Sequence, residues 1–276
     1  YIMCHDWGCG YYMRHNNNFM YKSINNTPEL QSNILKKFIV LSKWHKECLH
    51  KIMDVPYNII EIIPNGINLN DFNDVDFNNK DNTILWSSCY ERGAHILCYD
   101  ILPKVRKNIS DAKVNICSYN NISNPENKDK GIYYIGNLSK KDLYKEMSKH
   151  KVWFYPCIFQ ETFCITAIEM VLCGNLPVSP FMHGIATTFE PYKYFFMKNN
   201  FRTRGQHCVE LSNITNEILP INDSLAVEES TDMITNYMKN YSSYKDLIMS
   251  MQNYIRENYT WSNTANKFEN LFNQLN

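Results

Sequence analysis

The sequence predicts an α/β protein with a doubly wound parallel sheet from about Asn82 onward, preceded by a partial second α/β domain. Three observations predict it. Short apolar runs alternate with longer stretches of helical spacing. Val152 to Pro156 reads as a strand buried on both faces, followed by a helix ending near Gly174 and a second strand, Leu176 to Ser179; this is a βαβ unit with a right-handed crossover. Thr83 to Trp86 reads as another strand, followed by a small-residue loop, Ser87 to Gly93, and an apolar helix starting near Ala94.

The elements follow in order. Tyr1 to Cys4 is an apolar opening that ends in His5-Asp6-Trp7-Gly8. Gly10 to Asn26 is aromatic and asparagine-rich, and Pro28 to Lys36 suits a short helix. Phe38 to Leu41 is a buried strand, and Ser42 caps a helix from Lys43 to Met53. Ile59 to Ile63 is a short strand stopped by the turn Pro64-Asn65-Gly66. The polar, acidic stretch from Asp74 to Asn82 reads as a linker. Lys113 to Ser118 and Ile132 to Ile135 are further strands, with a helix capped by Ser139 behind the second. Pro180 to Thr188 reads as a turn around His183-Gly184, and His207 to Leu211 as a last short strand. Three helical segments close the chain: Leu225 to Lys239, Tyr244 to Asn258 and Trp261 to Leu275. The expected organisation is 1–75 partial N-terminal domain, 76–258 second domain and 259–276 terminal helix.

Composition narrows the function classes. Twenty-eight basic residues balance 28 acidic ones, so no basic field argues for nucleic acid and no polybasic patch for a membrane surface. No run is long and apolar enough to span a bilayer. Ten cysteines lack paired zinc spacing, Cys4-His5 and Cys9 being the only cluster. Reduced thiols in a cytoplasmic protein are the simplest account, and no metal is expected. The chain opens without methionine, in what reads as a strand already under way, so it is expected to be a fragment.

The chemistry concentrates in two loops. Glu161 falls at the carboxyl end of the strand ending near Pro156, where open α/β sheets bind ligands. Thr162 is placed to cap a helix beginning at Phe163. The backbone N–H groups of Phe163, Cys164 and Ile165 then favour an anion. Glu169 lies about two turns on, roughly 10 Å along the helix. Carboxylates flanking an anion site suit a ligand with a phosphate in its middle and hydroxyls at its ends. Spacing alone fits better an ordinary amphipathic helix with one exposed and one buried glutamate. Arg92, in the loop after Trp86, suits bidentate phosphate contact; its plain alternative is a solvated charge at a helix start.

The segment E-T-F-C-I-T-A-I-E from Glu161 to Glu169, with Gly174 and the strand LPVS behind it, resembles the donor-binding signature of retaining glycosyltransferases of the GT-B fold, family four. LSKWHKECL and IIPNGINLNDF resemble the same family at the last strands of its N-terminal domain. The resemblance implies a GT-B architecture with a Rossmann-like donor-binding domain, a partial acceptor-side α/β domain before it, and a C-terminal helix crossing back to that domain. It implies that Glu169 binds the ribose of the donor and Glu161 the hydroxyls of the transferred sugar. The amides of Phe163, Cys164 and Ile165 would lie along the donor, with Cys164 standing where the family has glycine. Arg92 matches the second of a basic pair that binds the donor diphosphate, and Ser87 or Ser88 stands where the first would be. Gly136, Asn137 and Leu138 would pass near the base, and His5 would come from the interdomain face. The implied activity is a metal-independent hexosyltransferase that moves a sugar from a UDP- or GDP-linked donor to a glycan, lipid or protein acceptor with retention. No cofactor beyond the donor is implied. A nucleotide-sugar binding module without transfer and a GT-B sugar-nucleotide epimerase are the competing readings.

Overall fold

The computed structural model describes residues 2–4, 37–53, 55–73, 75, 79–118, 127–202 and 223–274. The expected helix over 28–36, the strand over 207–211 and His5 lie outside them.

Two parallel sheets carry the described chain. The smaller has the order β1 (Ile2–Met3), β2 (Phe38–Val40), β3 (Ile60–Ile62). Helix α1 (Lys43–Met53) lies between β2 and β3. Its start is fixed by Ser42, whose Oγ accepts the His45 N–H at 3.1 Å. Leu49 of α1 is buried with Cys4, Phe38, Val40, Val55 and Ile60 in a core of this sheet's own.

The larger sheet contains β4 (Asp81–Ser87), β5 (Lys113–Cys117), β6 (Ile132–Gly136), β7 (His150–Phe154) and β8 (Leu176–Val178). Its order is β6-β5-β4-β7-β8, with every neighbouring pair parallel. The chain steps outward from β4 to β6, then returns to place β7 on the other side of β4. The strand order therefore reverses between β4 and β7, which opens a crevice at their carboxyl ends. Ile84, Leu85 and Trp86 of β4 and Val152, Trp153 and Phe154 of β7 are all buried, as a sheet covered on both faces requires.

The connection from β4 to β5 departs from a plain α-helix. It is helical from Ala94 as expected, but Ile96–Ile101 is a π-helical turn before α2 (Leu102–Asn108). The Leu102 N–H reaches back five residues to the Leu97 carbonyl. Pro103 is the physical reason: it has no N–H for the Tyr99 carbonyl and its ring crowds that oxygen, so the ladder takes in one extra residue. Helix α3 (Lys140–Met147) starts at Ser139, whose Oγ accepts the Asp142 N–H at 3.2 Å.

Helix α4 (Ile165–Leu172), between β7 and β8, begins two residues later than the sequence suggests. Cys164 takes the cap position at φ 64° and ψ 69°, and Thr162 and Phe163 stay in the bend before it. A left-handed residue at 164 breaks the helical run, so Phe163 cannot be its first member and Thr162 cannot cap it. The stretch after Pro180, read as a turn, contains the short helix α5 (His183–Thr188). Thr188 Oγ1 donates to the Gly184 carbonyl at 3.0 Å and closes that helix. Helices α6 (Asp223–Lys239), α7 (Lys245–Asn258) and α8 (Trp261–Asn273) follow, within a residue or two of expectation. Among the described residues no helix is long and apolar enough to cross a membrane.

The two sheets meet through backbone as well as side chains. The Ile67 N–H donates to the Tyr259 carbonyl at 2.9 Å, and the Trp261 N–H returns to the Ile67 carbonyl at 3.3 Å. Gly66 allows this approach, because a Cβ there would stand 2.5 Å from the Trp261 Cα. Leu271 of α8 is buried with Ile39 and Ile63 of the smaller sheet. The Trp44 and His183 rings pack with centroids 4.7 Å apart.

Candidate functional site

The crevice between β4 and β7 is a real cleft of about 230 Å³. Ser87, Ser88 and Arg92 come to it from the loop after β4. Tyr155 comes directly at the end of β7, still hydrogen-bonded to β8, and the bend from Glu161 to Thr166 from the loop beyond it; Leu41 and Asn65 face the cleft from just past β2 and β3.

Its centre is one carboxylate oxygen. Arg92 Nη1 donates to Glu161 Oε1 at 2.7 Å, and the Tyr155 hydroxyl donates to the same oxygen at 2.5 Å. Arg92 ends the 3-10 turn Tyr90–Arg92 and lays its guanidinium over the Phe159 ring at 4.1 Å. Burial works against the Arg92 charge, but the facing Glu161 carboxylate and Tyr155 outweigh it and hold the pKa above its ordinary value. Burial, reinforced by Glu161, pushes the Tyr155 phenol well up, so it stays a donor. Arg92 keeps a third of its side chain exposed, against 15 % for Glu161. It is thus the partner that an incoming anion reaches first.

Three non-glycine residues near this centre adopt left-handed backbone: Cys157 at φ 53°, Cys164 at φ 64° and His183 at φ 55°. Strained backbone of this kind persists where the surroundings over-determine it and gathers at functional sites. Cys164 lines the cleft with a side chain where a glycine would leave room. Cys157 Sγ lies 3.5 Å from His183 Nδ1. Burial lowers the His183 pKa to about 3 and raises both thiols well above their usual range. The imidazole is neutral and the sulfurs are protonated, so neither thiol is a ready nucleophile.

The structure does not gather every residue named from the sequence. Arg92, Ser88, Glu161, Phe163, Cys164 and Ile165 line one cleft. Glu169 does not: it is buried on α4, and its Oε1 accepts the Tyr144 hydroxyl at 2.6 Å. Burial raises the Glu169 pKa, and the Tyr144 hydrogen bond opposes that rise. The Tyr144 ring stacks on Phe72 at 4.4 Å. Gly136 ends β6, with Asn137 and Leu138 directly after it, and none of the three lines the cleft. Tyr155 and Asn65, which sequence reading does not single out, both reach the cleft. The available signal for Tyr155 is a polar tip at the end of an otherwise apolar strand, because a buried tyrosine hydroxyl needs a partner. Among the described residues no three His, Cys, Asp or Glu side chains converge as a metal site requires.

A cation held by a carboxylate, beside hydroxyls and backbone amides at a strand-order reversal, can exchange that carboxylate for a phosphate. No protein-family model matches this sequence, and neither does any curated protein. Solved structures do match. Sucrose-phosphate synthase from Thermosynechococcus elongatus is 13% identical, with 99% of this chain and 67% of that chain covered, at a TM-score of 0.62. Anabaena HepE in complex with UDP and glucose is 11% identical, with 99% and 70% covered, at 0.61. The pneumococcal O-GlcNAc transferase GtfA in complex with UDP and GlcNAc is 14% identical, with 94% and 48% covered, at 0.62. This chain thus spans about half of GtfA and about two thirds of the other two. At these identities the likeness concerns architecture, and the chain has the Rossmann-like GT-B fold, with a partial domain on the side of the smaller sheet.

Proposed function

We propose that this chain is a nucleotide-sugar-dependent glycosyltransferase of the retaining, family-four type, with its donor site in the cleft between β4 and β7. The observation that carries the reading is the Arg92–Glu161 pair, brought together from the two loops that flank the strand-order reversal. Arg92 trades Glu161 for the donor diphosphate, and its charge takes up the negative charge that develops on the leaving group. Glu161, released from that pair, accepts from the hydroxyls of the sugar. The amides at the start of α4 lie along the phosphates. A cleft of about 230 Å³ suits a sugar and its adjoining phosphate rather than a whole nucleotide sugar, given the roughly 300–1,000 Å³ usual for ligand pockets. The ribose then extends toward Glu169, with the Tyr144 hydroxyl shared or displaced, and the base toward Gly136 to Leu138 at the end of β6. The acceptor enters from the side of Leu41 and Asn65. UDP is favoured over GDP, because the HepE and GtfA structures hold UDP.

Melting curves with UDP, GDP and ADP test this reading. A nucleotide that binds only the folded chain adds about 2.7 kcal/mol at a hundredfold excess over Kd, roughly 5–10 °C for a chain of this size. UDP is expected to raise the melting temperature and Glu169→Ala to reduce the shift. Equal, negligible shifts with all three nucleotides would contradict the donor-site reading.

A further inference from the structure

Glu161 Oε1 is held by two donors that differ in kind. Arg92 is a third exposed and sits on a loop. Tyr155 is 3% exposed and fixed on three sides. Its ring lies parallel to Trp153, with centroids 5.7 Å apart and an 8° interplanar angle. Trp86 packs against it at 6.1 Å from the adjacent strand. Its backbone N–H donates to the Val178 carbonyl at 3.0 Å, which pins the main chain to β8. The hydroxyl is therefore presented from the rigid sheet, whereas the guanidinium is presented from a loop facing the cleft.

We propose that Tyr155 is the positioning residue of Glu161: when an anion draws Arg92 away, the Tyr155 hydroxyl keeps the carboxylate aimed at the sugar. This rests on the donor-site reading and assigns within it a residue that the glutamate motif does not include. Of these two donors, Arg92 leaves with the anion and Tyr155 stays in place, so the phenol opposes rotation of the carboxylate after the departing cation. The parallel stack on Trp153 denies the phenol that freedom. Burial keeps the phenol protonated across the working pH range, so its role as donor does not lapse. Tyr155 moves no proton and need not touch the substrate; it acts through Glu161.

The test is a double-mutant cycle of Tyr155→Phe and Glu161→Gln, read on UDP-glucose turnover and on calorimetric titration of UDP. Tyr155→Phe keeps the ring and its stack and removes only the hydroxyl. It is expected to lower kcat about 10–100-fold, the range for lost orienting partners, and to leave the Kd for UDP within about threefold. In the Glu161→Gln background it should cost less than about twofold more, because its effect runs through that carboxylate. A merely structural tyrosine would instead weaken UDP binding along with turnover and add its full cost in both backgrounds. A kcat within twofold of wild type while UDP still binds overturns this inference alone, and full additivity overturns it too. A wild-type chain that neither binds UDP nor turns over UDP-glucose overturns the donor-site reading and this inference with it. Should Tyr155→Phe be too unstable to assay for turnover, the cycle is read on melting temperature. Non-additivity there supports the coupling, and additivity overturns it.

Discussion

Arg92→Ala is expected to weaken UDP binding roughly 10–100-fold, because a hydrogen bond to a charged group contributes about 1.5–3 kcal/mol and each 1.4 kcal/mol is a decade in Kd. Among the described residues the guanidinium is the one basic group lining the cleft. The substitution also removes the Arg92 charge that faces Glu161, which is only 15 % exposed and lies near the phosphate position. Repulsion between that carboxylate and the diphosphate adds to the loss. Arg92→Lys should fall between the two, because an ammonium restores the charge but not the planar fork or its stack on Phe159. Calorimetric titration of UDP into wild type and both variants decides the matter, with melting curves confirming that each is folded. Equal affinity in wild type and Arg92→Ala would remove Arg92 from the phosphate site.

Gly184→Ala has the second large expected effect, and it arises from backbone rather than charge. A Cβ at 184 would stand 2.5 Å from both the Phe163 nitrogen and the Thr162 carbonyl carbon. Main chain cannot rotate out of the way as a flexible side chain can. The Gly184 N–H also donates to the Glu161 carbonyl at 2.8 Å, so α5 is fastened to the bend that presents Glu161. The added methyl must push these segments apart. Overpacking of this kind costs about 1–3 kcal/mol, or roughly 2–12 °C in melting temperature for a chain of this size. A displacement approaching 1 Å at Glu161 would cost turnover about a hundredfold. Parallel measurement of melting temperature and UDP-glucose turnover checks both. An alanine variant that matches wild type in each would show that the approach of α5 to the site bend is not needed.

The contrast between these two predictions shows what a sequence of this kind reveals. Arg92 is legible because a charged residue in a small-residue loop after an apolar strand has few structural reasons to be there. Glu161 is legible chiefly through the resemblance of E-T-F-C-I-T-A-I-E, because its spacing alone fits an ordinary amphipathic helix better. The caps at Ser42 and Ser139 are legible because the hydroxyl competes locally for the N–H groups that a helix start leaves open. Gly184 is less so: its neighbours Thr162 and Phe163 are 22 and 21 residues away in sequence, and only the folded chain brings them within a methyl's width. Tyr155 is hidden inside an apolar run, where period and composition report burial but not which hydroxyl will face a carboxylate. Glu169 shows the limit of spacing. A helical rise gives its distance from the helix start, but not that the Tyr144 hydroxyl binds it while Phe72 stacks on the Tyr144 ring. The late start of α4 has the same origin, since a cysteine gives no local sign that it will adopt φ 64°. Pro103 is the converse case, a local signal that does explain the π-helical turn before it.

Backbone hydrogen exchange with and without saturating UDP tests the central claim most directly, because it reports where the ligand sits without requiring turnover or a known acceptor. The account predicts added protection in two separated stretches, Ser87 to Gly93 and Phe159 to Thr166, the loops that follow β4 and β7. Protection confined to other segments, or none at a UDP concentration that shifts the melting curve, would contradict it.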